Sequence, residues 1–375
     1  MNKKHFMYFI WATTIISLKT YPTVFIQNGK RDTWVGMIIA SAIYVFFTLY
    51  LVYIMKKSKT YSLLEIYEKA LGKYLGSFLF FMLLFSFFCI LIESASIEAN
   101  SMHTNMLIKT PPWYLLLFFV IPAIYTVRQN IYTILMLTII GILFIMAAGI
   151  NLGIQTLLYK TPSWIFPIFE NGITKGFILS TIQMIGLYSH IMIPIYLFQY
   201  VSNKKSSAKS ILFALFIVVQ MEVVSSTGLF MTFSMPRLLE MYYPKLIQTQ
   251  LPSYFDFIEF GELLVMIQMI GGWYLKYTIT FFVLLDILKK EYKKQHPALI
   301  YIITALVLFI SYWLSRDIFT LFKFLDFFTY FSFVQFFVFP LLVFTLFHMR
   351  QNIQLKETIT DQEDQENYEE DDSTI

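Results

Sequence analysis

The chain has 375 residues, of which 57% are hydrophobic and 14% are charged. Soluble domains carry about 25% charged residues, so this composition excludes a soluble enzyme or binding domain. The 40 Phe, 25 Tyr and 6 Trp residues suit lipid-facing helices and interfacial belts. The composition therefore predicts an all-α integral membrane protein with several spans.

Charge is unevenly distributed along the chain. Positions 356–375 hold one basic and nine acidic residues, whereas the rest of the chain holds 27 basic and 15 acidic residues. We expect residues 351–375 to form an acidic, disordered cytoplasmic tail. The basic body indicates membrane topology and no nucleic-acid partner, because no basic run has interleaved aromatic residues. Cys89 is the single cysteine, which excludes a disulfide within the chain.

Ten apolar stretches have about the 20 residues needed to cross about 30 Å of hydrocarbon. With both termini inside, 17 basic residues face the cytoplasm and nine face the outer side, as the positive-inside rule requires. The lipid bilayer is therefore the first expected partner. We number the stretches spans 1 to 10, and they cover 6–28, 33–55, 76–104, 112–127, 130–158, 176–200, 210–233, 262–288, 297–315 and 327–349.

Three connections between the spans have patterns of their own. Leu63, Tyr67 and Leu71 recur at helical spacing before Gly72, which predicts a short helix along the inner membrane face. On the outer side, the segments 159–175 and 234–261 mix aromatic, proline and charged residues. We expect both segments to cap the outer ends of the spans.

Seven ionisable residues lie inside predicted spans, where each costs about 2.5–3.5 kcal/mol at mid-bilayer. Such residues are usually functional or paired, and a purely structural ion pair between two helices is the alternative. Asp286, close to Lys289 and Lys290, is expected to be interfacial. The seven residues are Lys19, Glu93, Glu98, His190, Glu222, Lys276 and Asp286.

Spans 1 and 6 each contain a segment that interrupts a helix. Pro22 lacks the N–H that a helix needs and follows a polar segment near mid-membrane, although a simple proline kink is the alternative. In span 6, residues 186–190 form a second polar stretch before Pro194. Interrupted helices at matching positions of two five-helix halves indicate an inverted-repeat transporter core with its site at the midplane. The halves are 1–158 and 159–350 of one transmembrane domain over 1–350.

The two interrupted spans frame a candidate ligand site together with spans 3 and 8. Span 3 carries Glu93 and Ser96 on one polar face, and span 8 carries Tyr274 next to two glycines. Lys19 and Glu93 are expected at the same depth, so an ion pair between them is a reasonable arrangement. The candidate ligand-binding residues are Lys19, Thr20, Tyr21, Thr23, Glu93, Ser96, Gly186, Tyr188, Ser189 and Tyr274.

The sequence lacks the motifs of enzymes and cofactor sites. It has no glycine-rich phosphate loop, no HExxH or GxSxG motif, and no carboxylate cluster with metal-ligand spacing. We therefore expect no enzymatic activity, no catalytic residue, no cofactor and no metal site. Binding, transport and signalling remain as functions.

Four short motifs occur in order between the spans. In this order, the chain over roughly residues 1 to 350 resembles the permease-like B subunit of nutrient germinant receptors from endospore-forming bacteria, within the amino acid/polyamine/organocation superfamily. The motifs are Gly29-Lys30-Arg31-Asp32-Thr33-Trp34, then Ser62–Ile66 followed by Leu71–Gly76, then Phe166–Gly172, and finally Tyr243-Pro244 in the fourth outer loop.

The resemblance implies a LeuT-like fold of ten helices in two inverted repeats, located in the inner membrane of the spore with both termini in the spore core. It also implies an A-type membrane subunit and a C-type lipoprotein as partners, and a small-molecule germinant such as an amino acid. The carriers of the superfamily have a glycine-rich break in helix 1, whereas this chain has Lys19-Thr20-Tyr21-Pro22-Thr23. Lys19 is therefore either a built-in cation in place of sodium or a proton, or a counter-ion for Glu93.

Three functions stay open from the sequence. In the first, a germinant binds between the broken spans 1 and 6, and binding shifts an equilibrium that partner subunits read. The available Lys and Glu groups favour a zwitterion as the germinant. The second is a secondary transporter of amino acids or cations, with Glu93 or Glu222 as proton carrier. The third is an ion-conducting or scaffold subunit without a ligand site of its own.

Overall fold

A computed structural model describes residues 1–204, 207–251, 260–293 and 298–353. These residues form helices, and no strand occurs among them. The helices are α1 (Lys3–Thr20), α2 (Thr23–Gly29), α3 (Thr33–Ser58), α4 (Leu63–Leu71), α5 (Lys73–Asn105), α6 (Pro112–Thr126), α7 (Ile131–Gln155), α8 (Lys175–Tyr188), α9 (Met192–Leu197), α10 (Ala208–Thr232), α11 (Met235–Glu240), α12 (Pro244–Gln250), α13 (Phe260–Lys290), α14 (Ala298–Ser315), α15 (Ile318–Ser332) and α16 (339–353).

Eight helices in the described part of the chain are long and apolar enough to cross a membrane. They correspond to spans 2, 3 and 5 to 10. Of the other two spans, α1 has 18 residues but contains three lysines, and α6 is an apolar helix of only 15 residues. The predicted all-helical membrane protein is confirmed, whereas the count of ten spans stays a prediction.

Span 1 is interrupted next to Pro22, as the sequence predicts. α1 ends at Thr20 and α2 begins at Thr23. Between them, Tyr21 leaves the helical region with φ −126° and ψ 55°, and the carbonyl of Pro22 accepts the first α-helical bond of α2 from Ile26 N–H at 2.9 Å. α1 packs against α7, α10 and α13, whereas α2 packs mainly against α8. The break therefore gives span 1 two segments with different neighbours.

Span 6 is also interrupted, although over a shorter stretch than 186–190. α8 continues through Gly186 to Tyr188, a 3-10 turn covers Ser189–Ile191, and α9 follows. Pro194 cannot donate to the carbonyl four residues earlier, which accounts for the change of helix type. Gly186 does not break the helix but allows α8 to pack closely against α15. A Cβ at this position would lie 2.3 Å from the carbonyl oxygen of Thr329 on α15.

The short inner helix predicted between spans 2 and 3 is α4. Ser62 caps it by accepting a hydrogen bond from Glu65 N–H at 3.3 Å, and Gly72 ends it with φ +86°. α4 packs against α5. Its buried face consists of Leu63, Ile66, Tyr67 and Ala70.

The two connections predicted on the outer side carry short helices and turns. α11 and α12 lie in the segment predicted as 234–261, of which 252–259 falls outside the described residues. In the other connection, a 3-10 turn covers Pro162–Ile165, and Thr161 N–H donates to the carbonyl of Met231 at 2.7 Å. This bond ties the 159–175 connection to the end of α10. The predicted acidic tail lies outside the described residues from position 354 onward.

Candidate functional site

A fully buried ion pair connects the middle of α5 with the middle of α13. Lys276 Nζ lies 2.8 Å from Glu93 Oε2, and both side chains have no solvent exposure. The two residues are 183 positions apart in the sequence. An unpaired charge inside a membrane protein is costly, so each of these groups stabilises the other in its charged form.

The last turn of α1 completes the hydrogen bonds of this carboxylate. Ser17 Oγ donates to Glu93 Oε1 at 2.8 Å, and Tyr21 OH donates to the same oxygen at 2.5 Å. Lys276 Nζ also donates to Ser17 Oγ. Ser17 and Tyr21 are four residues apart and therefore lie on one side of the chain as α1 ends. Both oxygens of Glu93 are thus occupied by protein donors.

His190, in the 3-10 turn of span 6, makes the third contact of the ammonium group. His190 Nδ1 lies 3.0 Å from Lys276 Nζ, and His190 Nε2 lies 3.3 Å from Ser332 Oγ on α15. A charged ammonium can only donate, so Nδ1 is the acceptor and the ring proton is on Nε2. The two interrupted spans therefore meet at the same ion pair.

Trp273 covers the pair one helical turn before Lys276. Its ring stacks on Tyr21 with 6.4 Å between the centroids, and Lys276 Nζ lies 5.1 Å from its centroid. The buried Trp273 Nε1–H has no hydrogen-bond partner in the part of the chain that the structure describes. We call Ser17, Tyr21, Glu93, His190, Trp273 and Lys276 the central cluster.

The predicted ion pair between Lys19 and Glu93 is wrong. Lys276 occupies that carboxylate, and Lys19 makes no ion pair with Glu93 in the structure. Lys19 lies two residues from both Ser17 and Tyr21, and residues at this spacing do not share a helix face. Its charged neighbour is Glu222 on α10.

Three of the candidate ligand-binding hydroxyls are used within their own helices. Thr20, Ser96 and Ser189 each donate to the carbonyl four residues earlier, at 2.6–2.7 Å. Such bonds satisfy a buried hydroxyl within its own segment, and Thr20 Oγ1 also lies 3.6 Å from Met269 Sδ on α13. These three residues lie outside the central cluster.

Four other candidates connect helices away from the cluster. Thr23 Oγ1 donates to the carbonyl of Met241 at 2.7 Å, and Tyr188 OH lies 2.7 Å from Ser41 Oγ. Tyr274 OH lies 2.7 Å from a threonine hydroxyl at the end of α6. With Gly186 in the contact to α15, only Tyr21 and Glu93 of the ten candidates belong to the central cluster.

The sequence contains partial signals for cluster members outside the ten candidates. His190 and Lys276 stand out as ionisable residues inside spans, where pairing is the rule. Trp273 lies three residues before Lys276, which places both on one face of α13. Within the described residues, no group of three or more His, Cys, Asp or Glu side chains is arranged to hold a metal ion.

The arrangement of helices is shared with a solved Na⁺-coupled sialic acid symporter in a substrate-bound, outward-open state. The match covers 93% of this chain and 79% of the symporter chain, with a TM-score of 0.56 and 12% sequence identity. At this identity the likeness concerns the fold, which is LeuT-like with spans 1 and 6 interrupted.

Comparison of the sequence with known proteins and families identifies the family of the chain. No curated protein matches the chain. The family profile described as spore germination protein matches residues 3–320, which is most of the chain. The chain therefore belongs to the family of spore germination proteins.

Proposed function

We propose that this chain is the membrane subunit of a nutrient germinant receptor and that it binds a small germinant, by preference an amino acid, at the central cluster. Binding then signals germination through an A-type subunit and a C-type lipoprotein. Family membership and the transporter-like fold support a membrane protein that handles small molecules. The observation that carries the proposal is the buried Lys276–Glu93 pair at the meeting point of the two interrupted spans.

The charges of this pair match those of a zwitterion. The ammonium of an amino acid takes the place of Lys276 at Glu93, and its carboxylate takes the place of Glu93 at Lys276. Trp273 Nε1–H is a further donor that the described residues leave unused. The exchange moves side chains on α1, α5 and α13 together. A ligand with this effect shifts the conformational equilibrium towards the state that accommodates it.

The fixed ammonium favours a sensor over a coupled carrier. The sialic acid symporter of the same fold is Na⁺-coupled. In this chain, Lys276 supplies a positive charge that is covalently attached and cannot cross the membrane with a substrate. A permanent internal counter-ion is compatible with ligand binding without net ion transport.

The inner membrane of the spore is the proposed location, with both termini in the spore core. The excess of basic residues on the inner side, 17 against nine, supports this orientation for an even number of spans. The exposed apolar side chains along α7 and α14 support direct contact with lipid.

The sharpest test compares two tyrosine hydroxyls in spores whose only receptor contains this subunit. Tyr21→Phe removes a hydrogen bond to Glu93, whereas Tyr188→Phe removes a buried hydroxyl that bonds Ser41 outside the cluster. We expect Tyr21→Phe to change the amino acid concentration for half-maximal germination by about fivefold or more, as the loss of a charge-assisted bond implies. Tyr188→Phe should leave this half-maximal concentration unchanged in spores that contain the same amount of the subunit. Equal effects of both changes, or no effect of either, contradict the proposal.

A secondary transporter of the same superfamily is the second candidate. The observation in its favour is the chain of hydrogen bonds from Glu93 through Lys276 to His190, which offers sites for a proton. Uptake of labelled amino acid into liposomes that contain this chain alone, dependent on Glu93, would establish it. Saturable binding without uptake is the result expected of a receptor subunit.

A further inference from the structure

Two of the sequence motifs meet on the predicted outer side, away from the central cluster. Asp32 Oδ1 accepts a hydrogen bond from Phe169 N–H at 2.8 Å. Next to it, Arg31 Nη1 lies 3.4 Å from Glu170 Oε2. Arg31 and Asp32 belong to the turn between α2 and α3, and Phe169 and Glu170 belong to the connection before α8. The two motifs therefore form one structural unit.

This unit borders a pocket of about 220 Å³. Liquid water takes up about 30 Å³ per molecule, so the pocket has room for the equivalent of about seven waters. It is smaller than the roughly 300–1,000 Å³ of drug-sized sites, which suits a small organic molecule. Its lining includes Arg31, Trp164, Phe166, Phe230, Phe233 and Met235.

Arg31 has donor capacity that the protein does not use. Its Nε–H is buried and has no partner among the described residues. Within the described residues, its ion pair is with Glu170, whose side chain is 64% exposed. An ion pair that exposed is worth little, because water competes for both groups. An incoming anion can therefore replace Glu170 at the guanidinium, which binds a carboxylate with two parallel hydrogen bonds.

Besides Arg31, the lining combines aromatic rings with the polar residues Ser163 and Ser234. Phe230 and Phe233 are each 2% exposed and form fixed walls at the end of α10. Trp164 and Phe166, from the connection before α8, are about half exposed. Aromatic walls with a few polar groups are the usual composition of a small-molecule site.

We propose that this pocket, the outer pocket, binds a small carboxylate with an apolar or aromatic body. The carboxylate lies against Arg31, and the body lies between the four aromatic rings. The outer pocket shares no residue with the central cluster. Binding at the outer pocket can therefore be tested independently of the germinant site.

Phenylacetate and its neutral analogue phenylacetamide are suitable probes, because they differ only in the group that meets Arg31. Binding is measured by titration calorimetry with the full-length chain in lipid nanodiscs. We expect saturable binding of phenylacetate and at least about tenfold weaker binding of phenylacetamide, as the loss of a charge-assisted bond implies.

Variants separate the polar and apolar contributions. Arg31→Gln should remove the preference for phenylacetate over phenylacetamide, and Trp164→Ala should weaken both probes. Glu170→Gln should strengthen phenylacetate binding, because it removes the competing carboxylate. Arg316→Gln is the matched control, since Arg316 stacks on Tyr312 and does not line the pocket.

Four results would overturn the proposal, and the first three concern binding of the probes. They are the absence of saturable phenylacetate binding, equal affinity for the two probes, and a preference that survives Arg31→Gln in protein with the wild-type unfolding temperature. A fourth is a crosslink from Ser163→Cys to another subunit that phenylacetate does not suppress, because the pocket is then occupied by protein.

Discussion

Lys276 and Glu93 form an ion pair of 2.8 Å with no solvent exposure of either side chain. Their helices are joined at this point by two opposite charges and by the hydroxyl of Ser17, which bonds both. A buried pair of this kind is costly to break, because the partner that remains is a charge without compensation. The pair and Ser17 therefore hold α1, α5 and α13 together at one electrostatic contact.

A double-mutant cycle tests this coupling. Glu93→Gln and Lys276→Met should each lower the free energy of unfolding by about 3–5 kcal/mol, because each strands one charge. The double variant should lose less free energy of unfolding than the sum of the losses in the two single variants. Thermal and denaturant unfolding in detergent measure the effect. The exposed pair Lys69–Glu65 is the control, and the same cycle there should give a coupling of about 0–1 kcal/mol. Additive losses at 93 and 276 would contradict the coupling.

The contact between α8 and α15 depends on the absence of a side chain at residue 186. Gly186→Ala places a Cβ 2.3 Å from the carbonyl oxygen of Thr329, so we expect a loss of about 1–3 kcal/mol from overpacking. Gly153→Ala on α7 is the control, because its Cβ would meet no atom within 4 Å. Removal of that helical glycine should stabilise the protein by up to about 1 kcal/mol. Equal unfolding temperatures for the two variants would refute the close contact.

Lys245 on α12 should make stability depend on pH. Burial, together with Lys19 and Lys160, lowers the pKa of Lys245 to about 7, although Glu222 opposes the shift. Between pH 7 and about 10.4, the usual pKa of lysine, the unfolded chain holds a proton at this position that the folded chain has lost. Stability from this group therefore rises with pH over that range and is constant below it.

Unfolding temperatures at pH 7 and pH 9 check this dependence. Lys245→Met should show a smaller rise between the two pH values than the wild type does. Lys69→Met, at an exposed position, should keep the wild-type rise. An identical rise in the Lys245→Met protein would show that the lysine does not titrate in this range.

Membrane orientation can be tested with single cysteines in a Cys89→Ser background. Ser163 lies in the connection before α8, and Ser202 lies after α9, so the two exposed positions flank span 6. We expect an impermeant maleimide to label Ser163→Cys on intact cells and Ser202→Cys only after permeabilisation. Labelling of both positions from the same side would disprove the orientation derived from the basic residues.

Local signals in the sequence predict most of the fold. The interruption of span 1 follows from the missing N–H of Pro22, and the end of α4 follows from the conformational freedom of Gly72. Each of these features depends on a few neighbouring residues. The long apolar runs likewise give eight of the spans directly, because hydropathy is a property of one segment.

The partners of the buried charges depend on information that one segment does not contain. Lys19 and Lys276 are both lysines inside predicted spans, and the break next to Lys19 favours it as the partner of Glu93. The actual pairing depends on the rotation of α1 and α13 about their axes, which packing over the whole bundle determines. The same rotation places Trp273 on the central cluster and Tyr274 against α6.

The π-helical turn Phe333–Val338 follows directly after Ser332, the residue that contacts His190. A π-turn holds a wider loop of backbone than an α-turn does, so it accommodates an additional residue within the last span. Deletion of one residue here would therefore allow a regular α-helix and leave 339–353 in the same helical phase relative to α15. In an alignment of this family, a one-residue gap at 333–338 therefore marks the loss of the π-turn with the helical phase preserved, and it should be placed inside the turn.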